Sequence, residues 1–191
     1  AMREFKTDSI PLPRSEVLAP LGTFNLEIGC GAGLHPILFN KENPQKTLVA
    51  IERTREKFVK FQGRYQAHGN PAGIIPIHDD AINWITHRVK PKSLEQVFIL
   101  YPNPEPSNKN QRFAHMPFME YLVTRLTNDG KIILATNIES YAKECIDYFP
   151  SYGLELSLEN TPEKPGRTHF ERKYLNRDEK CYNLVFTKVS S

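Results

Sequence analysis

The residues that could do chemistry in this sequence fall into a glycine cluster, a scatter of lone acids and amides, and one late acidic segment. The glycines close the stretch Phe24-Asn25-Leu26-Glu27-Ile28-Gly29-Cys30-Gly31-Ala32-Gly33. An apolar run, a glycine turn and an apolar helix-length segment read as strand, turn and helix. Glycine supplies positive φ and lets a ligand come close to the backbone. The unpaired N–H groups of such a turn, and of the helix that follows, then face a polar ligand. A dinucleotide fingerprint would place a third glycine where Leu34 stands, so that spacing fails. Further along, apolar runs end at Glu52, at Asp79-Asp80, at Asn103 and at Asn137, and Thr168 to Glu171 form a late polar segment. The side chains of Glu52, Asp79, Asp80, Asn103, Asn137, Thr168 and Glu171 can all accept hydrogen bonds.

These residues need elements to position them. Strands are expected at 24–29, 47–52, 73–78, 94–101, in KIILATN after Asn128-Asp129-Gly130, and as a closing pair at 154–159 and 182–189. Helices are expected at 33–42, at 54–68 with Thr54 as N-cap, from Asp80 to His87, from about Arg112 to Leu126, and from Ile138 to Phe149. Pro76 suggests that the third strand lies at a sheet edge. A charged loop is expected between the last two strands. Strand–helix alternation implies an α/β fold, a mostly parallel seven-stranded sheet with helices on both faces. Residues 1–22 read as an irregular arm and 23–191 as a single domain. A parallel sheet binds ligands at the carboxyl ends of its strands, which is where the glycines, Glu52, Asp80, Asn103 and Asn137 fall.

Composition narrows the classes. With 191 residues, 39% of them hydrophobic and 25% charged, the chain is long enough for one sizeable core. No apolar run approaches the ~20 residues of a membrane span, and AMREFKTDSIPLPRSEV has no apolar core, so neither a membrane segment nor a signal peptide is expected. Cys30, Cys145 and Cys181 are far apart with no C-x-x-C pair, which favours a reducing cytoplasm over a disulfide framework or a zinc site. The six histidines show no metal spacing, so no metal is expected. His169 lies in the late motif, where it could touch a substrate. A net charge of +3 permits a nucleic-acid partner only if positive charge gathers on a face. Two clusters could do so: Arg3, Lys6, Arg14, Arg53, Arg55, Lys57, Lys60 and Arg64, and the 164–180 segment, where Phe170 and Tyr174 stand among cations. Solvated faces would look the same. Trp84, beside Ile82 and Ile85, is expected in the core.

The G-x-G-x-G turn resembles the first motif of Rossmann-like class I methyltransferases that use S-adenosylmethionine (SAM). A wider set of residues resembles the bacterial tRNA (guanine-N7-)-methyltransferase family: LEIGCGAG at 26–33, AIE at 50–52, DA at 80–81, YPNPEP at 101–106, ATN and SYA at 135–137 and 140–142, THFER at 168–172 and YNLVF at 182–186. The resemblance implies SAM as cofactor, held by Glu27, Gly29, Gly31, Gly33, Glu52, Asp80 and Ala81. Glu52 would accept from the ribose hydroxyls and Asp80 from the adenine amino group. It implies methyl transfer to guanine N7 in the tRNA variable loop, with Asn103 and Glu171 as catalytic residues. Lys109, Arg112, Asn137, Thr168 and Glu171 would contact the substrate. A soluble cytoplasmic monomer or homodimer acting on tRNA is expected.

The sequence also departs from that family. Its P-D-P-W-P loop reads Pro102-Asn103-Pro104-Glu105-Pro106 here, and its basic run is thinned to Lys109 and Arg112. The family's Thr-Asp after the fifth strand is Thr136-Asn137. N7 carries a lone pair, so no base is needed, but the ring gains positive charge as the methyl group arrives. A nearby carboxylate would stabilise that charge; an asparagine supplies only acceptor and donor. A different acceptor, or a catalytically silent RNA- or partner-binding module, therefore stays open.

Overall fold

The computed structural model describes residues 3–190; Ala1, Met2 and Ser191, at the outer ends of the two expected segments, lie outside the described residues. The strands are β1 Phe24–Ile28, β2 Leu48–Glu52, β3 Ile74–His78, β4 Leu94–Leu100, β5 Leu126–Thr136, β6 Leu154–Asn160 and β7 Tyr182–Lys188. They form one sheet in the order β3-β2-β1-β4-β5-β7-β6. The first five are parallel to one another, and β7 runs antiparallel between β5 and β6. The helices are α1 Leu34–Glu42, α2 Arg55–Ala67, α3 Ala81–Arg88, α4 Phe118–Arg125, α5 Glu139–Tyr148 and α6 His169–Asn176.

The central strands read as unbroken apolar runs because both of their faces are covered, and their side chains sort with period two. Val49, Ile51, Val97, Ile99, Ile132 and Leu134 pack with Trp84 of α3, Leu122 of α4 and Ala142 of α5. Their sequence neighbours face the other way. Ala50 joins Phe58 and Phe61 of α2, while Leu48, Phe98 and Ile133 join Phe39 of α1. Trp84 is fully buried, as its apolar neighbours imply, and its indole N–H donates to Val17 O at 3.0 Å.

β3 is an edge strand, as Pro76 requires. Three local expectations fail, and a fourth, Thr54 as N-cap, holds in position alone. The helix expected from Arg112 is two short 3-10 turns, at Lys109–Gln111 and Phe113–His115, and α4 starts only after Pro117. Proline disfavours helical backbone in the residue before it, and Met116 is extended (φ −83°, ψ 125°). Asn128-Asp129-Gly130 does not precede the fifth strand but bulges out within it. The register jumps from Leu94↔Leu126 to Gln96↔Lys131, and Asp129 has φ 64°. Thr54 occupies the N-cap of α2 without capping it by its side chain, because its hydroxyl is spent on Glu52. Finally, the charged loop between β6 and β7 holds α6. Thr168 is its N-cap and accepts from Glu171 N at 3.0 Å; the T-x-x-E spacing is a capping signal.

The arm is irregular but tied down. Over residues 3–22 it crosses α3 and α4. Phe5 packs against Phe118 and Tyr121, His87 Nε2 donates to Ile10 O, and Ser15 N donates to Asp79 Oδ2 at 2.8 Å.

Candidate cofactor and substrate cleft

The carboxyl ends of β1, β2, β3 and β4 open into one cleft of about 810 Å³. Its floor is the glycine turn, Glu27–Leu34. One wall carries Glu52 to Thr54 and Asp79 to Ile82, and another carries Ile99 to Asn103, Glu105, Gln111 and Phe113. Lys57, Lys60 and Arg64 reach in from α2, and Thr168, His169 and Phe170 from the start of α6.

In the floor, Gly29 and Gly31 hold φ of 73° and 59°, and a Cβ on either would meet nothing within 4 Å. Their backbone is thus open to close approach. Gly33 differs: φ is 84°, and a Cβ would lie 2.1 Å from Phe61 Cδ1. Gly31 N donates to Glu52 Oε1 at 2.9 Å, and Thr54 N and Oγ1 both donate to Glu52 Oε2 at 2.7 Å. A carboxylate offers about four acceptor positions, so Glu52 keeps room for a further donor on Oε1 while it fixes the turn against β2. Asp80 Oδ1 caps α3 by accepting from Asn83 N at 3.0 Å, which leaves its second oxygen for another donor. Ala81 follows at the cleft wall. Asp79, by contrast, has both oxygens engaged, by Ser15 N and Asp80 N. Glu27 is buried and paired with His35 Nδ1, whose ring lies 4.7 Å from Phe98. It braces β1 against α1 beneath the turn.

The other expected site residues divide. Asn103 is exposed on the cleft wall, and Thr168 stands at its mouth. Glu171 does not line the cleft. It is fully buried, and its carboxylate accepts from Arg167 N and Nε at 2.9 Å, from Arg167 Nη2 at 2.7 Å and from the Tyr101 hydroxyl. Burial pushes the Glu171 carboxyl up, but Arg167 and Tyr101 outweigh it and hold it below the ordinary range. Burial, and next the Glu171 acceptor, push the Tyr101 phenol far above its usual value, so it stays a donor. Arg112 is clamped by Glu144, Nε to Oε1 at 2.8 Å and Nη2 to Oε2 at 3.2 Å, and donates from Nη1 to Glu105 O at 2.9 Å. It holds the loop together instead of pointing into the cleft. Lys109 is exposed and Asn137 donates to Glu179 Oε1 at 3.4 Å; neither lines the cleft.

The structure also joins the two basic clusters. Lys57 Nζ stands 5.3 Å above the Phe170 ring, and Phe170 lies parallel to Tyr174 with centroids 6.2 Å apart. Arg64 donates from Nε to Ala32 O at 3.1 Å, and its Nη2 lies 3.0 Å from His169 Nε2. Burial and the nearby Arg64, Arg172 and Lys60 hold the His169 pKa below its usual value, so the neutral ring can accept from Arg64. The spacing of Lys57, Lys60 and Arg64, three and four apart, already placed them on one helix face; that they meet Phe170 required the fold. Among the described residues no group of three or more His, Cys, Asp or Glu could hold a metal ion, and no helix is long and apolar enough to cross a membrane.

A family model described as "Putative methyltransferase" matches residues 22–184. The chain belongs to this methyltransferase family. A relative named tRNA (guanine-N(7)-)-methyltransferase from Thermotoga maritima is 28% identical over 185 residues, 95% of this chain and 59% of its own length. This chain therefore spans less than two thirds of that relative. A protein of the same name from Nitrosomonas eutropha is 29% identical over 175 residues, 86% of this chain and 76% of its own. Among solved structures, the 16S rRNA methyltransferase KamB superposes with a TM-score of 0.66 at 17% identity, covering 88% of each chain. The [4+2]-cyclase SpnF superposes at 0.62 and 11% identity, over 89% of this chain and 76% of its own. These two establish the fold alone, and one fold carries both chemistries.

Proposed function

We propose that the chain transfers a methyl group from SAM to N7 of a guanine in tRNA. The observation that carries this reading is the meeting, in one cleft, of the open glycine turn and Glu52 with Asn103 and the Thr168 end of α6. The names of the relatives support the same reaction. The floor fits SAM: the open backbone at Gly29 and Gly31, the remaining acceptor position of Glu52 for a ribose hydroxyl, and the second oxygen of Asp80 for an adenine amino group. When bound, SAM supplies a methyl group on a sulfonium. N7 would accept that methyl group on its lone pair as the sulfonium became a neutral thioether, so no residue of the chain would need to take a proton.

The chain's own work is to hold the base. Asn103 can donate to an oxygen of the guanine and accept from its amino group. Thr168 accepts from Glu171 N and keeps its hydroxyl proton for the substrate. In this reading Glu171 acts one step back from the chemistry, fixing α6 to Tyr101. Most of the rate comes from holding nucleophile and methyl carbon in line.

RNA phosphates are met by the α2 rim. Lys57→Glu with Lys60→Glu is expected to flatten the plot of log affinity for tRNA against log salt by about 1.4, since each single-strand phosphate contact contributes about 0.7. An unchanged slope would remove α2 from the RNA surface.

The reaction itself is tested by titrating labelled SAM into the protein with total tRNA and reading methylated nucleosides by mass spectrometry. The expected product is 7-methylguanosine. SAM binding with another methylated product, or with none, would overturn the assignment of the acceptor.

A further inference from the structure

We infer that Glu105 is the carboxylate that faces the target base, selecting guanine and stabilising the charge it acquires. The inference rests on the guanine-N7 reaction proposed above. That reaction leaves a full positive charge on the ring, and a carboxylate aimed at the site of developing charge is the most effective stabiliser a protein can place there.

The cleft's acids can be taken in turn. Glu27 is paired with His35. Glu52 holds Gly31 and Thr54. Asp79 is engaged by Ser15 and by the Asp80 amide, and Asp80 caps α3. All four belong to the floor and the adjoining wall. On the side of Asn103, the residue at the end of β4 is neutral, and Glu171 lies outside the cleft with its oxygens bound by Arg167 and Tyr101. Glu105 remains. It lines the cleft two residues beyond Asn103, is half-buried, and has no side-chain partner within hydrogen-bond distance among the described residues.

Its backbone is held in place against a local preference. Glu105 has φ 44°, a left-handed conformation that a residue with a Cβ enters only when its surroundings impose it. Arg112 imposes it, donating to Glu105 O at 2.9 Å while Glu144 grips the same guanidinium from the far side. Asn108 N adds a longer bond to the same oxygen, at 3.3 Å. Arg112, expected from the resemblance to contact the substrate, thus fixes the turn that presents the acid. Charge around the cleft is consistent with this: Lys57, Lys60 and Arg64 line it from α2, and Glu105 lines it from the loop after β4. Phosphates favour the first side, and a base edge rich in N–H groups favours the second.

Guanine offers such an edge. Its N1–H and one hydrogen of its amino group can both donate to one carboxylate, whereas adenine presents no matching pair of donors. The pair strengthens as the ring becomes cationic, so Glu105 acts in the transition state as well as in selection.

The test uses the full chain with tRNA and with a tRNA carrying inosine at the methylated position. Glu105→Gln is expected to lower kcat/KM about ten- to hundredfold, as loss of a charge-assisted contact does, with SAM affinity and melting temperature unchanged. Its preference for guanosine over inosine should fall several-fold, because inosine lacks the amino group. Adding Asn103→Asp to Glu105→Gln should restore part of the rate by returning a carboxylate two residues away. Unaltered kcat/KM and preference in Glu105→Gln would overturn the inference and leave the proposed reaction standing. A wild-type chain that binds SAM yet forms no 7-methylguanosine would overturn both.

Discussion

Glu171→Ala is expected to destabilise the protein by about 3 kcal/mol and to abolish productive binding of the acceptor without removing any group that touches it. The carboxylate is fully buried and receives the Arg167 backbone N–H, the Arg167 guanidinium and the Tyr101 hydroxyl. Removing it strands those donors. Breaking a buried ion pair costs about 3–5 kcal/mol, and the lower end applies because the Arg167 side chain keeps 27% of its exposure. α6 would then lose its hold on the end of β4, and Thr168 and Phe170 would leave the cleft with it. Denaturant unfolding gives the first number, and limited proteolysis within 161–181 reads the second. A variant as stable as the parent and equally resistant would contradict the latch. Acid should act in the same direction. The folded pKa of Glu171 lies below the ordinary 4.5, so its contribution is complete above that value and lost as pH falls through the folded value. Glu171→Gln should therefore show a shallower loss of stability below about pH 4.5 than the parent.

Gly33→Ala is the second large effect. Positive φ alone costs an alanine about 1–2 kcal/mol. Here the new Cβ would also fall 2.1 Å from Phe61 Cδ1. Phe61 is fully buried and packs with Phe58, Ile37 and Ala50, so it cannot swing away without opening the α1/α2 side of the core. Overpacking adds about 1–3 kcal/mol, for a total of about 2–5 kcal/mol. Gly31→Ala meets open space and should cost about 1–2 kcal/mol from φ alone, while placing a methyl group in the cleft floor. A melting curve separates the two: Gly33→Ala should lose several degrees more than Gly31→Ala. Equal losses would mean that Phe61 accommodates the methyl group.

The sheet and the floor of the cleft were legible in the sequence because their causes are local. Apolar runs covered on both faces make strands wherever they occur, and the glycines, Glu52 and Asp80 sit beside the turns that use them. Of the two adjacent acids, Asp79 is taken up by Ser15, far away in the chain, and that pairing has no local sign. The far wall was less legible because its causes are pairings across long separations. Nothing near Arg112 in sequence shows that Glu144 takes up its guanidinium, and nothing near Glu171 shows that Tyr101 joins Arg167 on its carboxylate. Glu105 looked like a missing tryptophan, because nothing nearby in sequence shows that it lines the cleft. The α6 helix is a different case: Thr168-His169-Phe170-Glu171 carries a capping signal, and the surrounding charge hid it.

The position of α6 between β6 and β7 bears on how such a chain could change its acceptor over evolutionary time. Residues 161–181 leave and re-enter the sheet on the same hairpin, where Asn160 faces Asn183. The segment is therefore a detachable insertion whose ends are already side by side. Lengthening or exchanging it alters a loop-closure entropy of only about 0.6 kcal/mol per doubling and leaves the strand order untouched. The floor and the α6 segment of this protein can diverge at separate rates, with the contacts of Tyr101, Arg64 and Lys57 to α6 among the joints that must be rebuilt.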